Sequence, residues 1–114
     1  MRIVSADWVV PVEGVPIENG AVAIAADGTI AAVGAAADLG YGERHDGCVI
    51  VPGFVNAHSH IEYAVYAGFG DGLPFVPWIG MHVQRKEELD LDDMVAIATV
   101  GAHECLRSGI TTIG

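Results

Sequence analysis

The sequence predicts a mixed α/β chain, in which a segment of short β-strands precedes the start of a parallel β/α arrangement. Three observations support this prediction. Residues 1–52 show short apolar runs separated by turn residues, without a helical period. Residues 48–58 form a largely apolar run broken by Pro52-Gly53, which is typical of a strand buried on both faces. Residues 90–108 repeat apolar side chains at helical spacing, and the β-branched run 110–113 follows them.

The clearest element of the first half is a β-hairpin. Residues 21–25 and 29–34 are apolar, and Asp27-Gly28 lies between them. This dipeptide favours a type I′ turn, because both central positions of that turn need positive φ. Asn19-Gly20 indicates another turn upstream. Residues 35–47 have loop composition, with at most one short helical turn.

The second half reads as strand, loop, helix and strand. Residues 64–80 are rich in Gly, Pro and aromatic side chains, which predicts a long loop, and long loops are usually functional. Asp90 can cap the following helix, and Gly109 supplies its left-handed stop. The strand over 110–113 is predicted to be buried. These elements make one βα unit that runs into the next strand.

Composition excludes several classes of protein. Five Lys plus Arg against fifteen Asp plus Glu give a net charge of -10, so the chain lacks the cations that nucleic-acid binding requires. No apolar stretch is long enough to span a bilayer, and Asp7 interrupts the start where a signal peptide needs an apolar run. We therefore expect a cytoplasmic protein without nucleic-acid or membrane partners.

The cysteines and the apolar content concern packing. Cys48 and Cys105 form no C-x-x-C pair, so both are predicted to be small core residues in a reducing compartment. A hydrophobic content of 52% is high for so short a chain, because a small domain has little interior. We therefore expect other protein surface to cover part of this one.

The candidate chemistry lies in His58-Ser59-His60. In a strand, residues i and i+2 project from the same face about 6.5 Å apart, so both imidazoles can reach one metal ion. The tripeptide alone is weak evidence, since two histidines at this spacing can also arise by chance. Its position strengthens it, because catalytic residues of parallel β/α barrels lie at the carboxyl ends of the strands.

A family signature matches this region. Residues 52–60, Pro-Gly-Phe-Val-Asn-Ala-His-Ser-His, resemble the P-G-hydrophobic-hydrophobic-(N/D)-x-H-x-H signature of the amidohydrolase superfamily. Upstream, residues 19–34 are similar to the N-terminal β-sandwich of these enzymes. Downstream, residues 73–79 and 104–112 resemble their deaminase and chlorohydrolase branch. The resemblance spans nearly the whole chain.

The resemblance implies a specific fold and an incomplete active site. Residues 1–52 would be the N-terminal part of a composite β-sandwich domain, and residues 53–114 the first βα unit and second strand of a truncated (β/α)8 TIM barrel. The implied cofactor is one divalent metal ion, zinc or alternatively iron or manganese, bound by His58 and His60. The family's remaining ligands and acid/base residues lie outside these 114 residues. We therefore assign no catalytic residue within this N-terminal fragment and expect it to be inactive alone.

The implied activity is hydrolysis of a C–N or C–Cl bond other than a peptide bond, with a nitrogen heterocycle deaminated by metal-activated hydroxide. Asn56 favours a deaminase, because cyclic amidases tend to carry Asp at this position. The alternatives are a cyclic amidase or imidazolone-type hydrolase of the same superfamily, or a non-catalytic metal-binding or interaction module. The expected partners are a small heterocyclic substrate and, in the complete protein, further copies of the chain.

Three more residues are candidates for substrate binding, each with a structural alternative. Glu62 either faces the pocket or is solvated. Trp78 either closes over a substrate ring or covers the mouth of the barrel. Glu87 falls where some nucleoside deaminases of this branch bind a ribose, but residues 85–88 also suit an exposed helix start. The remaining histidines are predicted to lie at the surface: His45, His82 and His103.

Overall fold

A computed structural model describes all 114 residues, and the chain divides into two compact units, Met1–Pro52 and Gly53–Gly114. The first unit is a five-stranded sheet with one short helix. Its elements, in chain order, are β1 (Arg2–Val9), β2 (Ile17–Glu18), β3 (Gly20–Ile24), β4 (Ile30–Ala35), α1 (Ala36–Leu39) and β5 (Glu43–Ile50). The prediction of short strands is confirmed, but residues 43–47 belong to β5 and not to a loop.

Strand β1 organises this sheet. It pairs antiparallel with β2 and β3, and parallel with β5, while β4 continues the sheet beside β3. The register between β1 and β5 shifts between Ala6 and Trp8, where β5 bulges. Asp7 occupies this shift, and its carboxylate accepts a hydrogen bond from the Gly47 backbone N–H at 3.0 Å. The side chain of Asp7 therefore satisfies a donor that the strand ladder leaves unpaired.

The predicted β3–β4 hairpin forms, but its turn is not type I′. Gly28 has a φ of 87°, whereas Asp27 does not have positive φ. The Gly28 N–H donates to the Ala25 carbonyl at 3.1 Å, which gives a loop over residues 26–28 with glycine in the left-handed position. The Asp27 carboxylate accepts from the Thr29 backbone N–H at 3.0 Å and from its hydroxyl at 2.7 Å. Side-chain hydrogen bonding thus stabilises a different turn from the one predicted.

The core of the first unit consists of small side chains, which lets the strands and α1 approach closely. Its buried apolar residues are Ala6, Val9, Ala21, Val22, Ala23 and Ala36. Ser5 is also buried, and its hydroxyl donates to the Tyr41 carbonyl at 2.5 Å. Cys48 is exposed in the bulged part of β5, so the prediction that it is a core residue is wrong. Cys105 is half-buried, and both thiols are free.

The second unit has the predicted order of strand, helix and strand, with additional helical turns. Its elements are β6 (Phe54–Asn56), a 3₁₀ helix (Ile61–Tyr66), α2 (Phe75–Lys86), α3 (Leu91–Arg107) and β7 (Ile110–Ile113). Strands β6 and β7 pair in parallel, with Phe54 opposite Ile110 and Asn56 opposite Ile113. None of the helices combines the length and apolarity that crossing a membrane requires.

Helix α2 corrects two predictions. Residues 75–80 are helical and not part of a loop, and residues 85–88 lie at a helix end and not at a helix start. Pro77 is tolerated because it lies in the first turn, where backbone N–H groups have no intrahelical partner. Arg85 and Lys86 occupy the last turn, where cations interact favourably with the helix dipole.

The ends of α3 are those predicted, whereas the flanking strands differ in burial. The Asp90 side chain accepts from the Asp93 N–H at 2.9 Å in a capping box, and Gly109 has a φ of 85°. Strands β6 and β7 were expected to be buried. Phe54 and Val55 are instead 58% and 69% exposed, because the elements of this chain do not cover that surface.

Candidate metal centre

The histidine pair follows β6 at its carboxyl end. The strand ends at Asn56, whose side-chain oxygen accepts from the His58 N–H at 3.2 Å. The Ser59 hydroxyl donates to the Gly114 carbonyl at 3.2 Å, and the Gly114 N–H donates to the Asn56 carbonyl at 2.8 Å. The segment is therefore held at the edge where β6 and β7 both end, which is the position that the sequence predicted.

The geometry of the pair differs from that of a strand. The chain bends after Asn56, and the imidazole centroids of His58 and His60 lie 5.2 Å apart with their planes at 83°. Both side chains are exposed and line a groove of about 470 Å³. This separation is compatible with nitrogen ligands at about 2.0–2.1 Å from one shared zinc ion. Two imidazoles are thus available to one cation, although a bend and not a pleat brings them together.

Helix α3 forms the other wall of the groove, through Glu104, Cys105 and Ser108. Gly101 allows this close approach, because a Cβ at that position would lie 2.1 Å from the Ile61 carbonyl oxygen. No group of three His, Cys, Asp or Glu side chains is arranged to hold a metal. The chain therefore provides a pair of imidazole ligands and not a closed ligand set.

Glu62 lies beside His60 and is paired. Its side chain is 22% exposed and accepts a hydrogen bond from Lys86 Nζ at 2.6 Å. That hydrogen bond lowers the pKa of Glu62, so its carboxylate is ionised at neutral pH. Desolvation opposes the charge on Lys86, but the hydrogen bond and charge of Glu62 outweigh it and raise the Lys86 pKa. The same Glu62 oxygen lies 3.6 Å from Nδ1 of His60. Glu62 is therefore half-buried and ion-paired.

His82 is completely buried, which contradicts its predicted surface position. Its ring centroid lies 4.5 Å from that of Trp78, 4.8 Å from Tyr66 and 5.3 Å from Tyr63. Helix α2 explains the error, since residues i and i+4 share a helix face and a loop would not align Trp78 with His82. Neither ring nitrogen of His82 has a hydrogen-bond partner, nor has the Tyr66 hydroxyl. His45 and His103 are exposed, as predicted.

The other two candidates lie away from the groove. Trp78 is half-buried between His82 and Phe75. Its ring also contacts Tyr63, which in turn stacks on His60 with centroids 5.1 Å apart. Glu87 is exposed just beyond α2 and makes no ion pair. The structure thus gathers His58, His60 and Glu62, and leaves Glu87 apart. The sequence contained no signal for the Glu62–Lys86 pair, whose members are 24 residues apart.

No family model matches the chain. Sequence comparison finds a 5-methylthioadenosine/S-adenosylhomocysteine deaminase of Syntrophobacter fumaroxidans that is 38% identical over 107 residues, covering 88% of this chain and 24% of the relative. A 5'-deoxyadenosine deaminase of Methanococcus vannielii is 34% identical over 65 residues, covering 56% of this chain and 15% of the relative. The chain thus spans about a quarter or less of the length of these relatives.

Structure comparison finds an adenosine deaminase from Xanthomonas campestris, crystallised with bound zinc. It superposes with a TM-score of 0.76 at 30% sequence identity, covering 98% of this chain and 28% of the other. The chain is homologous to the N-terminal portion of proteins of the amidohydrolase superfamily. Within that superfamily, the relatives identified are deaminases of adenosine-type compounds, so the resemblance inferred from residues 52–60 is confirmed.

Proposed function

We propose that this chain supplies the first two metal ligands of a metal-dependent hydrolase that deaminates an adenosine-type nitrogen heterocycle. The observation that carries the proposal is the pair His58 and His60, which lies at the shared carboxyl edge of two parallel strands with ring centroids 5.2 Å apart. The relatives are named as deaminases of 5-methylthioadenosine, S-adenosylhomocysteine and 5'-deoxyadenosine, which supports this substrate class.

The proposed fold follows from the same similarity. Residues 53–114 would be the first βα unit and second strand of a (β/α)8 barrel, and residues 1–52 the N-terminal part of a β-sandwich domain. The parallel pairing of β6 with β7 supports the barrel, since successive barrel strands pair in parallel. We further propose a cytoplasmic homo-oligomer.

The residues fit a zinc ion in part. His58 and His60 are two nitrogen donors of the kind that zinc prefers, and catalytic zinc sites normally use three protein ligands. The ion in the Xanthomonas campestris relative supports zinc over iron or manganese. When bound, such an ion lowers the pKa of a coordinated water to about 7 and so supplies hydroxide at neutral pH. This chain's own contribution is to hold the imidazoles of His58 and His60 at the groove. Tyr63 stacks on the His60 ring, and Glu62 lies close to its Nδ1.

A deaminase is favoured over a cyclic amidase and over a non-catalytic module. The relatives are named as deaminases, and residue 56 is Asn, whereas cyclic amidases tend to carry Asp at this position. Trp78 and Glu87 remain proposed substrate-binding residues, though neither lines the groove. Glu62 is better placed to act on His60 than on a substrate.

The test is metal content and ammonia release in the full-length protein. His58→Ala and His60→Ala should each remove bound zinc and nearly all release of ammonia from 5-methylthioadenosine or adenosine. His103→Ala is the matched control, because His103 is exposed on α3 and does not line the groove. Stoichiometric zinc in the double variant would refute the ligand assignment. If the variants lose zinc but the parent protein releases no ammonia from either substrate, the non-catalytic metal-binding module would be favoured.

A further inference from the structure

Glu62 approaches His60 from outside the groove. Its neighbours Ile61 and Ala64 line the groove, whereas Glu62 does not. Its carboxylate oxygen lies 3.6 Å from Nδ1 of His60. An imidazole that binds a metal through one nitrogen normally donates the other N–H to a carboxylate or a carbonyl. The nitrogen of His60 that faces Glu62 is Nδ1, which leaves Nε2 for a metal.

The position of Glu62 is itself fixed. Lys86 Nζ donates to it at 2.6 Å, and both side chains are half-buried. Lys86 Nζ also lies 4.3 Å from the centroid of the Tyr63 ring, on which His60 stacks at 21° between planes. Tyr63 therefore stacks on the face of the His60 imidazole, and Glu62 approaches its Nδ1 edge. Lys86 contacts both Glu62 and the Tyr63 ring. The 3₁₀ helix that follows His60 places both Glu62 and Tyr63 beside its imidazole.

We propose that Glu62, held by Lys86, is a positioning residue for His60. Its carboxylate accepts the Nδ1–H of His60 and thereby fixes the tautomer in which Nε2 is free to bind the metal. The present separation exceeds hydrogen-bond length by a few tenths of an ångström, and hydrogen bonds in active sites commonly tighten when the ligand binds. This inference rests on the proposed function, because it requires His60 to be a ligand.

The experiment measures metal affinity in the full-length protein by competition with a chelator. Glu62→Leu removes the acceptor and should weaken Zn²⁺ binding about 10- to 100-fold, which is the usual effect of losing an outer-shell partner. Glu62→Gln keeps an acceptor without the charge and should restore part of the affinity. The visible spectrum of the Co²⁺-substituted protein should shift in Glu62→Leu, since that spectrum reports the ligand geometry directly.

Glu88→Leu is the matched control, because Glu88 is an exposed carboxylate in the same unit without an ion pair, and this variant should leave affinity and spectrum unchanged. If Glu62→Leu does not fold, Lys86→Met tests the same support and should also lower affinity. Parent-like affinity and an unshifted cobalt spectrum in the folded variant would overturn the positioning role. Unchanged affinity in His60→Ala would instead overturn the proposed function, so the two failures are distinguishable.

Discussion

At the scale of single residues, Gly101 controls how closely α3 packs against the 3₁₀ helix. A Cβ at this position would lie 2.1 Å from the carbonyl oxygen and 2.8 Å from the carbonyl carbon of Ile61, which are backbone atoms that cannot move aside alone. We predict that Gly101→Ala destabilises the protein by about 1–3 kcal/mol, as overpacking does. Urea unfolding would measure the change.

Gly80 provides the control for this substitution. It is also helical, but a Cβ there meets nothing within 4 Å, so Gly80→Ala should stabilise the protein by roughly 0.4–1 kcal/mol through reduced entropy of the unfolded chain. Equal effects of the two alanines would mean that α3 and the 3₁₀ helix are not in close contact.

The Tyr66 hydroxyl gives a second stability prediction for a single residue. It is buried beside His82 and has no hydrogen-bond partner. Tyr66→Phe removes an unsatisfied polar atom and keeps the ring, so we predict unchanged stability or a gain of about 1 kcal/mol. Thermal unfolding of the two proteins would decide. A clear loss of stability would show that the hydroxyl has a partner in solution.

At the scale of elements, the β3–β4 hairpin should depend on pH through Asp27. The hydrogen bond from the Thr29 backbone N–H is the main cause that lowers the pKa of Asp27. A carboxyl whose pKa is lower in the folded state contributes stability above its unfolded pKa and loses that contribution as the pH falls. Asp27→Asn should therefore lower the thermal midpoint at pH 7, and the difference from the parent protein should shrink as the pH falls below the usual pKa of the carboxyl. A difference that persists at low pH would refute this role.

The N-terminus of α3 gives the second element-scale prediction. Asp90→Ala removes the side chain that accepts from the Asp93 N–H, and should cost about 0.5–2 kcal/mol. Asp92→Ala is the comparison, because Asp92 is in the same turn and complements the helix dipole without capping it. Denaturant unfolding should rank Asp90→Ala as the more destabilising change.

At the scale of the whole molecule, exposed apolar surface should promote association. Leu91, Val95 and Leu106 lie along one side of α3 and are 77%, 59% and 63% exposed. Patches of this kind mark interaction sites or aggregation hazards. We predict that the 114 residues expressed alone associate as their concentration rises, which sedimentation velocity would measure.

Leu106→Lys should reduce this association without loss of helix, since a cation suits the last turn of α3. Val12→Lys is the control, because Val12 is 85% exposed but lies in the other unit. An equal effect of both substitutions would mean that net charge, and not the face of α3, governs association.

The features that depend on neighbours along the chain could be predicted from the sequence. The two runs around Asp27-Gly28 define a hairpin, Asp90 and Gly109 delimit α3, and His58-Ser59-His60 follows a strand. The positions of these elements were predicted correctly because capping, turn residues and apolar periodicity act within a few residues, although the turn at Asp27-Gly28 is not of the predicted type. The wrong prediction of a loop over residues 75–80 also has a local cause. Pro77 and Gly80 are typical of loops, but the first turn of a helix tolerates proline and an exposed helix position tolerates glycine.

Contacts between residues that are distant in sequence could be found only from the folded chain. The burial of His82 among Tyr63, Tyr66 and Trp78 requires α2 to pack its inner face on the 3₁₀ helix, and nothing near His82 in sequence specifies that contact. Likewise Glu62 and Lys86 pair across 24 residues. From local composition, Glu62 could either face the pocket or be solvated, and Lys86 was predicted to lie in an exposed segment. The fold instead pairs Glu62 with Lys86 beside His60, because burial and pairing depend on how the elements pack together and not on each segment alone.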